Sequence, residues 1–233
     1  MRVFCVLSVA ATLLVTTAGT ARAVHTDIEF SYESGMVAVA FGPEGYVFEG
    51  DFSDFPNPYS TDDPGYGSEV SEGFGIDPSD VIAFNVVGPL LYHNGTAFAA
   101  TSETFTFHDA LGSDVDVMSS TLSGFGYVGQ ASGTGDFHEH IDYSITTTAP
   151  VGAYGVPITL SALNSSLAPK GIADSLEFYL VFNRGLDSEE FETAVSDFAV
   201  AVPEPGTGLL LFIGGALCGL AVWKRKRNLS PVS

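Results

Sequence analysis

Gly206 to Trp223 (GTGLLLFIGGALCGLAVW) carries no charged side chain and is followed at once by Lys224-Arg225-Lys226-Arg227. A helix over this stretch, rising ~1.5 Å per residue, would be about 27 Å long, close to the hydrocarbon thickness of a bilayer. Four adjacent cations are what hold the cytoplasmic end of a spanning segment. The sequence therefore predicts a single transmembrane helix over 206–223, with 228–233 as a cytoplasmic tail. Such a stretch is lost to any globular core, so whatever folds must lie upstream.

The other end is constrained in a similar way. Met1-Arg2 leads into an apolar run from Val3 to Val15, and small and polar residues follow, closing on Ala21-Arg22-Ala23. This is the pattern of a secretory signal peptide, 1–23, cleaved after Ala23. The expected exported domain spans 24–201, a length that can bury a core of its own. Both cysteines lie outside it, Cys5 in the signal and Cys218 in the apolar stretch, so no disulfide can form within it. Of the 28 acidic residues all but Glu204 fall in this domain, and of the 8 basic ones only Lys170 and Arg184 do. A surface so negative repels phosphate backbones, which excludes nucleic acid as a partner and makes cations the natural ones.

Within 24–201, short runs of β-forming residues are cut by Gly, Pro, Asn and Asp. They predict strands near 25–33, 36–41, 45–49, 81–87, 89–93, 103–108, 114–118, 124–129, 137–147, 156–163 and 175–183. So many short strands point to an all-β fold, an antiparallel β-sandwich of Ig-like or jelly-roll type. Residues 51–80, acidic and rich in Pro and Gly, read as a long surface loop with the capacity for weak calcium binding. One amphipathic helix is expected from Ser188. Its apolar Phe191, Ala194, Val195 and Phe198 recur at helical spacing, and Asp187 with Glu190 stands where a capping box would.

Val202-Pro203-Glu204-Pro205 precedes the apolar stretch and its basic cluster. In that order the three parts, 202–227, resemble the PEP-CTERM sorting signal of Gram-negative bacteria. The resemblance implies an exosortase that cuts near Pro203, Glu204 and Pro205 and delivers the domain to the cell surface or an extracellular polysaccharide matrix. Two prolines keep the backbone extended there, as a processing enzyme requires.

All five histidines lie in the exported domain. On one continuous strand, His138, His140 and Asp142 would share a face opposite Phe137, Ile141 and Tyr143, and His25 and Asp27 would oppose Ile28. Two imidazoles two residues apart can converge on one ion, and three nitrogens, or two with a carboxylate, suit zinc, copper, iron or manganese. His-x-Asp opening the domain, a distant His-x-His, and Gly152, Tyr154 and Gly155 resemble the choice-of-anchor domains of bacterial surface proteins, whose relatives are associated with metal transport. The candidate ligands are thus His25, His138 and His140, with Asp27 or Asp142 as a fourth ligand or as a group orienting an imidazole, for one divalent transition metal such as zinc or manganese.

No nucleophile elbow, zincin helix, P-loop or dinucleotide fingerprint is present. The expectation is a non-enzymatic surface or matrix protein. The alternatives are a secreted metalloenzyme using the same histidines, or a carbohydrate-binding module stacking sugars on Tyr46, Tyr59, Tyr66 and Tyr92.

Overall fold

The structure is a computed structural model and describes residues 27–42, 45–54 and 57–201. Ala23, His25, the sorting residues Pro203, Glu204 and Pro205, and the 206–223 stretch lie outside the described residues. Strands β1 (Ile28–Glu33), β2 (Met36–Val39), β3 (Val47–Asp51), β4 (Ser60–Thr61) and β5 (Tyr66–Ser68) open the fold. Next come β6 (Val81–Val86), β7 (Leu91–His93), β8 (Phe98–Ala99), β9 (Phe105–His108) and β10 (Asp114–Val117). The chain closes with β11 (Gly124–Gln130), β12 (Phe137–Glu139), β13 (Asp142–Ile145), β14 (Gly152–Leu163), β15 (Phe178–Arg184) and helix α1 (Ser188–Ala201).

These strands form three sheets. A first sheet runs β12-β5-β1-β2 and a second runs β10-β9-β13-β4. The large third sheet runs β11-β6-β14-β15-β3, with β7 and β8 attached through β14. The fold is mostly β, as expected, but it is not purely antiparallel, because β1 pairs parallel with β5 and β3 with β15. Alternation of apolar residues says which face of a strand is buried and nothing about the direction of its partner, so this was not readable in advance.

One aromatic core joins all three sheets. Phe30, Tyr66 and Phe137 come from the first, Phe105, Phe107 and Tyr143 from the second, and Phe84, Phe178 and Phe182 from the third. β15 is apolar at every position from Phe178 to Phe182 because both its faces are covered. Phe178, Leu180 and Phe182 enter this core, while Tyr179 and Val181 meet α1 on the far side. The predicted helix forms, with its apolar stripe Phe191, Ala194, Val195 and Phe198 buried. The Asp187 carboxylate accepts from the Glu190 N–H at 2.9 Å, which satisfies one orphan donor of the first turn. Phe198 lies so close over Gly155 that a Cβ at that position would strike its ring. His93, completely buried, sits 3.0 Å from Asp197 through Nε2 and ties β7 to the helix.

Two sequence expectations are corrected here. Segment 51–80 is not one surface loop, since it supplies β4, an edge strand of the second sheet, and β5, an inner strand of the first. Residues 137–147 are not one strand either. The chain leaves the first sheet after Glu139 and enters the second at Asp142, with Ile141 buried at the crossing.

The crossing is held by two tyrosines at the centre of the core. The Tyr143 hydroxyl lies 3.0 Å from the Pro64 carbonyl oxygen and 3.1 Å from the Tyr66 hydroxyl. Burial is the main cause pushing both hydroxyl pKa values well above the ordinary tyrosine range. Below about pH 10 these groups are neutral whether the chain is folded or not. Above it the unfolded chain ionises them and the folded one does not, so stability should fall as pH rises past 10. Thermal melts followed by circular dichroism from pH 8 to 11.5 should show this fall, and Tyr66→Phe should reduce its slope.

Candidate metal centre

Gly65 leads into β5, whose Gly67 pairs with Glu29 of β1 on one side and with His138 of β12 on the other. Glycines two apart on a strand leave one face without side chains. The result is a trough floored by β5 backbone, walled by Asp27 and Glu29 on one side and by His138 and His140 on the other. The fit is tight. A Cβ on Gly65 would lie 2.6 Å from His140 Nε2 and 2.9 Å from Asp27 Oδ1, so only glycine lets the two approach.

One ligand atom each from Asp27, His138 and His140 falls within 4.8 Å of the others. His138 Nε2 is 3.8 Å from Asp27 Oδ2. Ligand atoms around a tetrahedral zinc stand roughly 3.3 Å apart, so small side-chain rotations would close the set. The other nitrogens are engaged elsewhere. His140 Nδ1 lies 2.9 Å from the Asp62 carbonyl, to which it donates, leaving the Nε2 lone pair toward the trough. His138 Nδ1 stands 3.6 Å from Glu69. Such outer partners fix the tautomer and aim of ligating imidazoles. The Asp27 carboxylate accepts from the Gly65 N–H at 3.2 Å through Oδ1, which holds it in place.

A second cluster shares His140, with Asp62 and Asp63 on its Nδ1 side. A cleft of about 200 Å³ opens beside His138, lined by Asp27, Glu29, Glu69 and Glu72 among others. Both cations of the domain are spent elsewhere. Lys170 pairs with Asp77 at 2.6 Å and with Asp80, and Arg184 lies 4.6 Å above the Tyr59 ring. The trough therefore faces solvent with carboxylates and imidazoles alone, an electrostatic setting for a cation.

The candidate ligands divide accordingly. Asp27, His138 and His140 are brought together, and His25 lies outside the described residues. Asp142 is not part of either cluster. It stands on the outer face of the second sheet, in register with His108, because the strand break after Glu139 destroys the alternation that would have aligned it with His140. Sequence reasoning missed Asp62, Asp63, Glu69 and the two glycines, all within the presumed loop. The readable signal was Gly65-Tyr66-Gly67, in which glycines flank a tyrosine at the period of a strand and strip one of its faces.

Two other chemistries can be placed. His108 has both nitrogens occupied, Nδ1 by Asp114 at 2.7 Å and Nε2 by the Ser144 hydroxyl at 2.9 Å. Ser144 sits in mid-sheet with strand partners on both sides, where the ladder takes the N–H groups that an oxyanion would need. Of the four tyrosines considered for sugar stacking, Tyr66 and Tyr92 are buried, and Tyr46 and Tyr59 pack against the core.

The chain continues from α1 directly into its C-terminal segment, where a family model matches. Residues 201–226 are a PEP-CTERM protein-sorting motif. This agrees with the reading of Pro203, Glu204, Pro205, the apolar stretch and the basic cluster, and it makes the chain an exported surface protein handled by an exosortase. None of the curated proteins matches the chain. Among the described residues no helix is long and apolar enough to cross a membrane. The motif's own apolar stretch is not among them.

Proposed function

We propose that this PEP-CTERM protein is a non-enzymatic component of the cell surface or of an extracellular polysaccharide matrix, and that its ectodomain holds one divalent transition metal between Asp27, His138 and His140. The observation that carries the metal is the paired arrangement of the two imidazoles. Each turns Nδ1 to an outer partner and Nε2 toward the same glycine-floored trough. Two nitrogens and one carboxylate favour zinc or manganese over calcium, whose ligands are oxygens. The ion would join β1 to the 137–140 segment across β5, where the direct ladders are only two and three residue pairs long. In a domain without cysteines, that is the position in which a metal adds most to the fold.

In the same reading, 206–223 anchors the chain with its N-terminal domain outside until the exosortase cuts near Pro203–Pro205. Deleting 202–233 tests the sorting. The shortened chain is expected in the soluble exported fraction with none retained at the cell surface. Surface retention equal to that of the full chain would contradict it.

A further inference from the structure

We propose that Asn94 is the site of a self-modification, in which the buried His93 and its partner Asp197 drive cyclisation of Asn94 onto the backbone nitrogen of Gly95 and convert the asparagine to aspartate and isoaspartate. As a tie between β7 and α1, His93 needs only its bond to Asp197. Its second nitrogen meets a group that a tie does not require. The Gly95 N–H donates to His93 Nδ1 at 3.2 Å. An N–H can donate only to the bare nitrogen of a neutral ring, so the ring proton sits on Nε2, 3.0 Å from the Asp197 carboxylate that accepts it. A carboxylate that orients an imidazole and stabilises its charged form makes the ring a general base. Here that base is set against one backbone N–H, in a place where His93 is fully shielded from water.

The Gly95 nitrogen is the nucleophile of asparagine cyclisation, and its electrophile stands beside it. Asn94 Oδ1 accepts from the Thr96 N–H and the Ala97 N–H, each at 3.0 Å. Two backbone donors on one carbonyl oxygen are what an oxyanion needs. Glycine at position 95, with φ at 91°, presents no side chain to obstruct the approach of Cγ. In the step, His93 Nδ1 takes the Gly95 amide proton, the nitrogen forms a bond to Cγ, and the Cγ=O electron pair moves onto Oδ1 between its two donors. When that pair returns, the Cγ–Nδ2 bond breaks and the amino group leaves as ammonia with the proton His93 carried. The resulting succinimide takes up one water, which reaches it because Asn94 is exposed. Opening at one carbonyl gives aspartate and at the other isoaspartate.

The chain carries its own comparison. Asn164 Oδ1 likewise accepts from two backbone N–H groups, those of Ser166 at 2.9 Å and Ala168 at 3.2 Å. Serine follows it, however, and His93, His108, His138 and His140 all face other groups. The carbonyl is polarised in both turns, and only Asn94 has the base. A Cβ on Gly95 would lie 3.6 Å from Glu190, so the new carboxylate arises beside α1, where Glu190 and Asp197 are already negative. The modification therefore accumulates with the age of the chain at the turn that seats this helix.

The test incubates the full chain in mild detergent and neutral buffer, with and without urea, and reads residues 94 and 164 by peptide mass spectrometry. Folded chain should modify Asn94 at least about tenfold faster than unfolded chain, and should leave Asn164 intact. His93→Gln keeps a polar side chain and removes the base, and should slow the reaction about 100-fold. Asp197→Asn removes the orienting charge and should slow it as well, with the melting temperature measured for each variant. Mere loosening of the turn would move the rate the other way, since a flexible Asn-Gly pair cyclises more readily than a held one. A folded-state rate at Asn94 no higher than that in urea overturns the proposal. So does a His93→Gln chain that modifies Asn94 as fast as the parent or faster.

Discussion

Replacing His138 and His140 together by alanine is expected to remove all bound transition metal from residues 24–201. The parent domain, loaded with zinc or manganese and dialysed, should retain about one ion, and elemental analysis should find none in the double variant. Removing one ligand of three should weaken binding by more than about 100-fold, since even outer-shell partners are worth 10- to 100-fold. Glu69→Gln belongs to that milder class. Gly65→Ala is the sharper control, because it keeps every ligand and places a methyl group 2.6 Å from His140 Nε2. It should abolish binding nearly as completely as loss of a histidine. Stability gives an independent readout. An ion at 100 times its Kd adds about 2.7 kcal/mol, or about 5–10 °C of melting temperature for a domain of this size, and the double variant should lose that shift. Unchanged stoichiometry in the double variant would remove the metal centre from these residues.

Phe182→Ala should have the largest effect on stability. Phe182 is fully buried, with its ring 5.4 Å from Phe52, 4.8 Å from Phe105 and 4.9 Å from Tyr143, so it bridges the second and third sheets. Truncating a buried phenylalanine costs about 3–5 kcal/mol, a large share of the 5–15 kcal/mol that holds a typical domain folded. The melting temperature should drop by about 6–20 °C. A drop under about 3 °C would mean that the aromatic cluster collapses around the void and that the sheets are held by something else. Val200→Ala, at 83% exposure near the end of α1, should be close to silent and serves as the baseline.

Much of this could be read from residues alone because it depends on local pattern. The apolar stripe of α1 and its Asp187 cap, the β-rich character and the sorting motif are of that kind, since each is written within a few neighbouring positions. What could not be read depends on where the chain turns. His138 and His140, paired as neighbours two apart on one face, do lie together, with ring centroids 5.3 Å apart beside Gly67 and Gly65, but the strand that carries them ends at Glu139 and the chain then crosses between sheets. That crossing removes Asp142 from the site, because it begins β13 of the second sheet opposite His108. Asp62, Asp63 and Glu69 lay hidden in a segment whose Pro and Gly content looks like a loop, and they meet the histidines because the two-residue β4 forms the edge of the second sheet and the three-residue β5 lies between β12 and β1 in the first.

The proposed metal centre matters to the cell only if the domain is delivered outside it through its terminal segments. Intact-mass measurement of the chain recovered from the cell surface tests that delivery most directly. The expected species begins at Val24, after cleavage behind Ala23, and ends at or near Pro203–Pro205, without the apolar stretch and the basic cluster. A full-length chain beginning at Met1, carrying Lys224–Arg227 and recovered from the cytosol, would contradict it.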